Sequence, residues 1–187
     1  MTLDEIRKQI DEVDTQVKPL FIKRMECAKH VAEAKAKTGG DVFVKEREVE
    51  IIKKRAADVP EDIYDEYVTF LKHMMSVSRR YQYGILTNMQ ETVLEEALQK
   101  AGLQREAEHH MVDIRFSCDA QQSDLNLFIN MITLNQVNIQ CMNLQVVDNM
   151  QQITMTLKGN INDSNMKRLL CQIGKEATDF SILELKK

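Results

Sequence analysis

The chain has 187 residues, 43% of them hydrophobic and 29% charged, with a net charge of −4. That length carries one large domain or two small ones with real cores. The acidic balance argues against nucleic acid as a partner, and no apolar run reaches the ~20 residues of a membrane span.

The first element is a long helix, expected over Thr2 to Lys37. Leu3, Ile6, Ile10, Val13, Val17 and Leu20 recur at alternating steps of three and four, the spacing of an apolar seam. Arg24 occupies the next beat, and the seam resumes at Cys27, Val31 and Ala34. Thr2 and Glu5 form a capping-box pattern at the start, Gly39-Gly40 ends the helix, and Pro19 predicts a kink within it. A helix of this length spans about 50 Å. A three-helix unit of this size cannot cover such a stripe from end to end, so the spacing predicts an intertwined dimer.

A second helix follows in "VKEREVEIIKKRAADV", with Val49, Ile52 and Ala56 as its expected inner face. Pro60 opens a third, with Ile63, Tyr67, Phe70, Met74, Val77 and Tyr81 as its stripe. Thr87 to Gln90 repeats the capping-box pattern, and Val93, Leu94, Ala97 and Leu98 carry a helix to Gly102. Gly84 leaves open whether this stretch is one helix or two.

From about residue 106 the period changes. Val112, Ile114, Phe116 and Cys118 alternate with polar residues as a half-buried strand, Leu125 to Leu134 reads as a helix, and alternation resumes at Val137, Ile139 and Cys141. A phase slip near Met142-Asn143 suggests a bulge, and Asp148-Asn149 a turn. Ile153, Met155 and Leu157 form the next strand. A helix on Met166, Leu169, Leu170, Ile173 and Ala177 is capped from Asn162, Asp163 or Ser164, and Phe180 to Leu185 closes as a strand. The order is βαββαβ, a ferredoxin-like unit. The fold class is α+β, with an all-α domain over 1–105 and an α/β-layered domain over 106–187.

Met1-Thr2-Leu3-Asp4 does not resemble a secretory signal, and the four cysteines lie apart without CxxC spacing. They read as reduced core thiols of a cytoplasmic protein. His109-His110 reads as a surface pair and His30 and His73 stand alone, so neither a metal nor a cofactor is expected.

The candidate chemistry lies in the helical half. A lone cation on an apolar stripe needs an anion to meet it. Arg24 and Lys35 are eleven residues apart, about 16 Å along the helix and on nearly one face. Arg7 lies about 26 Å before Arg24 and cannot reach the same small ligand from its own helix. In an antiparallel dimer it approaches the partner's pocket, giving two shared sites. Arg47 and Glu48 open the second helix, and Ser78 and Gln82 fall on the third in the row of Leu71 and Met75. Taken singly, each charge is also readable as a solvated helix charge. The set outlines a cation-rich cavity suited to a small polyanion with a hydroxyl group.

"IRKQIDEVD", "IKRMECAKHVAEAK", "KEREVE" and "SRRYQ" occur in the order and spacing of the all-helical chorismate mutases, and residues 3 to about 86 resemble that family. The resemblance implies rearrangement of chorismate to prephenate, a step of aromatic amino-acid biosynthesis, by a homodimer without a cofactor. It places Arg24, and Arg7 from the partner, on the two carboxylates. It places Lys35 and Gln82 on the ether oxygen and Glu48 on the ring hydroxyl, with Arg47 and Ser78 supporting a carboxylate. Catalysis is thus expected of Lys35, Gln82, Arg24 and Glu48. The family's aspartate three residues before the Arg-Glu pair is Val44 here. An isochorismate pyruvate-lyase shares the helical fold and much of the cation set, and a non-catalytic dimerisation or regulatory protein is the reading from another class.

The C-terminal order, with "QVNIQ" entering its second strand, resembles an ACT domain, which implies regulation by an amino acid, here an aromatic one. The expected effector turn, residues 119–123, lacks the glycine usual in that family. A purely dimerising or packing role is the alternative.

Overall fold

A computed structural model describes residues 1–120 and 125–187. The first helix, α1 (Leu3–Thr38), is unbroken through Pro19. Thr2 and Glu5 satisfy each other's backbone N–H groups in a capping box, and Gly39, at φ 75°, turns the chain out of the helix while donating to the Lys35 carbonyl. Next come α2 (Lys45–Arg55), a single 3₁₀ turn over Glu61–Ile63 that begins after Pro60, α3 (Tyr64–Ile85) and α4 (Thr87–Ala101).

Leu86 separates α3 from α4, so the stretch is two helices and Gly84 lies inside the first. The expected capping box at Thr87 is not formed. Instead the Gln90 amide donates to the Tyr83 carbonyl at 2.6 Å and ties the first turn of α4 back to the end of α3.

Burial corrects the expected inner faces of α2 and α3. On α1 the residues buried within the chain are Ala28 and Ala32, one step around from Cys27, Val31 and Ala34 of the seam expected to meet a second copy. The seam from Leu3 to Leu20 is uncovered within the chain, with Leu3 61% and Leu20 66% exposed. On α2, Ala56 is buried but Val49 is 54% exposed. On α3 the expected stripe points outward, with Phe70 55% exposed, while Leu71, Met75, Ser78, Arg79 and Gln82 are buried. The aromatic and aliphatic spacing is real on both faces of α3; packing against α1 and the C-terminal layer selects the more polar one.

The C-terminal half runs β1 (Met111–Asp119), α5 (Leu125–Leu134), β2 (Asn138–Val147), β3 (Met150–Lys158), α6 (Ser164–Glu176) and β4 (Thr178–Lys186). Its sheet has the order β2-β3-β1-β4 with every neighbouring pair antiparallel. Asp148 and Asn149, at φ 49° and 62°, form the two-residue hairpin between β2 and β3, since two left-handed residues match the twist of the flanking strands. The register shift in β2 lies between Ile139 and Cys141, earlier than the sequence slip suggested. β2 is an edge strand exposed along almost its whole length, so its alternation marks no buried face.

Val112, Ile114 and Phe116 of β1 and Ile153, Met155 and Leu157 of β3 form a core with α5 and α6. Leu94, Ala97 and Leu98 of α4 belong to the same core. At Gly174 a side chain would meet Val93 at 2.8 Å and the Phe180 ring at 3.0 Å, so the glycine permits the close approach of α6 to α4 and β4.

Cys118 and Cys171 are buried, as expected, but Cys27 and Cys141 are exposed. His109 is not a surface residue. It is 5% exposed, its Nδ1 lies 2.6 Å from the Ala107 carbonyl, and its Nε2 accepts from the Ile161 N–H at 3.0 Å. Of the expected effector turn, residues 121–123 lie outside the described residues. Among those described, no helix is long and apolar enough to cross a membrane.

Candidate active site

A pocket of about 550 Å³ opens where α1, the start of α2 and α3 meet, a volume usual for small-molecule sites. Three local features build it. The small residues Ala28 and Ala32 let α3 approach α1. The αL turn at Gly39 reverses the chain so that the first turn of α2 faces the last turns of α1. The buried row of α3 then supplies the floor, with Ser78 and Gln82 beside Met75.

Arg24, Lys35, Arg47, Glu48, Ser78 and Gln82, scattered over 59 positions of sequence, all line this one pocket. Arg7 does not. It sits near the far end of α1 with its side chain 66% exposed, paired among the described residues only with Asp4 at 3.3 Å.

Arg24, Lys35 and Gln82 are each held by backbone carbonyls. Arg24 donates to the Met74 carbonyl at 3.5 Å, and Lys35 donates to the carbonyls of Asp41 and, at 3.3 Å, Val42 in the loop before α2. Gln82 donates to the Ser78 carbonyl at 3.4 Å, while its Oε1 is buried and meets no hydrogen-bonding group among the described residues.

Positive charge exceeds negative charge here. Arg55 and Arg79 also line the pocket, giving five cations to the single carboxylate of Glu48. Burial holds the Arg24 guanidinium below its usual range, with Glu48 opposing. Burial and then the like charge of Arg47 lower the Lys35 ammonium, with Asp41 opposing. Two cations depressed in this way are short of an anion.

Residues 6–83 match the chorismate mutase type II family model. The matched segment is less than half of the chain and contains Arg7 and every residue lining the pocket. No solved structure matches the chain.

Within the matched segment, sequence reasoning passed over two pocket residues. Arg55 closes α2 among Lys53 and Lys54, where a basic last turn is ordinary helix chemistry. Arg79 stands inside the "SRRYQ" motif next to Ser78, yet its signal was hidden because its strongest partner is 97 residues away. That partner is Glu176 of α6, bound at 2.8 Å from Nε and 2.7 Å from Nη2.

Proposed function

We propose that the chain is a chorismate mutase acting as a homodimer, converting chorismate to prephenate within the pocket between α1, α2 and α3. The observation that carries this reading is the excess of cation over carboxylate in a pocket within the matched segment. Chorismate is a dianion with one ring hydroxyl, and the pocket offers cations for the carboxylates and Glu48 for the hydroxyl.

The reaction is an isomerisation. The ether C–O bond breaks as a C–C bond forms through one cyclic shift of six electrons, and no proton enters or leaves. The protein therefore needs no nucleophile and no general base. It holds the side chain over the ring in a compact conformer and sets cations and amide donors where negative charge grows on the ether oxygen. Lys35 and Gln82 fill that last role and Arg24 holds a carboxylate. Arg47 and Ser78 support this binding.

Arg7 comes from the partner subunit. The uncovered seam of α1 supports such a partner, because a contiguous apolar stripe of this length on one helix marks an association surface. Incubation with chorismate and with isochorismate tests the assignment. Prephenate from chorismate is the expected product. Salicylate and pyruvate from isochorismate would instead identify a pyruvate-lyase, and no turnover of either would leave a non-catalytic protein.

The C-terminal unit is an ACT-like module in this reading, its strand order being the supporting observation. Calorimetric titration with phenylalanine, tyrosine and tryptophan tests an effector role, and heat from one of them is the expected result.

Val44 gives a further prediction. It is the N-cap of α2, makes no side-chain cap bond, and lines the pocket. Val44→Asp supplies an acceptor for the free N–H groups of the first turn, worth about 1 kcal/mol. It also adds a second carboxylate near Glu48. The expected result is a higher melting temperature together with a lower KM for chorismate, read by calorimetry and steady-state kinetics. A lower melting temperature would contradict the capping argument.

A further inference from the structure

Arg79 is buried, yet it touches both halves of the chain. Its Nε and Nη2 edge forks onto the two oxygens of Glu176 on α6, at 2.8 and 2.7 Å. Its remaining nitrogen, Nη1, donates to both oxygens of Glu48 on α2, at 2.6 Å to Oε2. The guanidinium carbon lies 4.8 Å from the centre of the Phe43 ring, which covers one face. Glu176 is held in turn by the Gln172 amide at 3.1 Å, and Gln172 also donates to the Ser76 carbonyl at 3.4 Å. Burial disfavours the Arg79 charge, but Glu176 and then Glu48 outweigh it and hold the guanidinium above its usual range.

This geometry has a directional consequence. A guanidinium is a rigid planar fork. Once one edge is clamped by Glu176, the direction of Nη1 is fixed, and so is the orientation of the Glu48 carboxylate that it grips. Among the described residues Glu48, in the first turn of α2, has no other hydrogen-bonding partner to select among its rotamers. Each of its oxygens keeps a lone pair for a second donor.

We propose that Arg79 is a positioning residue that aims Glu48 at the substrate hydroxyl, and that Glu176 in the C-terminal unit fixes that aim. This rests on the chorismate mutase reading above. It makes recognition of the hydroxyl depend on α6, although Glu176 does not line the pocket.

Glu176→Gln tests it in the full chain. The amide cannot accept both donors of the fork, so the guanidinium is free to turn its paired edge to Glu48 and draw the carboxylate away from the pocket. Because Glu48 holds the hydroxyl in substrate and transition state alike, the loss falls on KM. We expect a rise of about 10- to 100-fold, the loss of one hydrogen bond to a charged group, with kcat within about twofold.

The discriminating readout is competitive inhibition by two bicyclic dicarboxylates, one with the ring hydroxyl and one without. Glu176→Gln should weaken the first and leave the second unchanged, and it should have no further effect in a Glu48→Gln background. Equal weakening of both inhibitors, or full additivity with Glu48→Gln, would overturn the proposal by showing only a general structural role. Wild-type protein that binds neither inhibitor and does not turn over chorismate would overturn the mutase reading and this inference with it. Gln172→Met, which removes the third donor to Glu176 and the bond to the Ser76 carbonyl but leaves the Arg79 fork, covers a Glu176→Gln protein that fails to fold. The same split is expected there at about two- to threefold, and its absence counts against the proposal.

Discussion

Lys35→Ala and Gln82→Ala should each lower kcat for chorismate by about 10²- to 10³-fold, the usual cost of removing one preorganised donor from a developing oxyanion. The argument begins with how the two groups are held. The Lys35 ammonium is pinned by carbonyls of the loop before α2, so its position is set before any ligand arrives. Gln82 lies in the pocket wall with its N–H₂ group on the Ser78 carbonyl at 3.4 Å, and its Oε1 meets no hydrogen-bonding group among the described residues. Neither group contributes to a core whose loss would unfold the chain, so both variants should melt like wild type. Turnover close to wild type in either would refute the ether-oxygen assignment.

Lys35 also predicts the alkaline behaviour. Burial and Arg47 lower its pKa, so its charge is lost as pH rises at a point below the ordinary lysine range. The alkaline limb of kcat/KM, which reports the free enzyme, should therefore fall early and be absent from the residual activity of Lys35→Ala. Arg47→Gln should move it upward by removing the like charge.

The second large effect concerns Arg7. Arg7→Ala and Arg24→Ala should each be nearly inactive alone, since each removes a charge-assisted contact to a substrate carboxylate. Mixed in equal amounts and allowed to exchange subunits, they should recover roughly a quarter of wild-type activity. Half the dimers are then mixed, and in each of these one site has both arginines and the other neither. This outcome follows from the proposed shared site, since Arg7 lies about 26 Å from Arg24 along one helix and is paired among the described residues only with Asp4. Mixed dimers verified by mass spectrometry but still inactive would confine each pocket to one chain.

Element boundaries were largely legible in the sequence because the signals were local. The capping box at Thr2, the glycines at 39 and 102 and the Asp148-Asn149 turn each depend on a few consecutive residues. Which face of a helix is buried was less legible. On α3 the strongest apolar stripe is the outward one, because the inward row carries Ser78, Arg79 and Gln82 and is paid for by specific partners. The set of pocket residues emerged from helix spacing and motif order, since all but Arg7 fall on faces that α1, α2 and α3 turn toward each other. Arg79 could not emerge that way. Its role depends on Glu176, and no local pattern announces a partner 97 residues ahead. His109 was misread for the same reason: its imidazole is satisfied by Ile161, 52 residues on.

The Arg79–Glu176 pair has a consequence for the order of synthesis. The pocket walls are complete once α3 has been made, but Glu176 and the sheet that shares a core with α4 come later. At about 5–20 residues per second, translation leaves Arg79 without Glu176 for roughly 5–20 s. During that interval Arg79 has Glu48 but not Glu176, and Leu94, Ala97 and Leu98 have no sheet to cover them. The nascent helices are thus made with an unclamped arginine and an apolar α4 face that the sheet covers only later, the kind of transiently exposed surface that makes unfinished chains prone to aggregate.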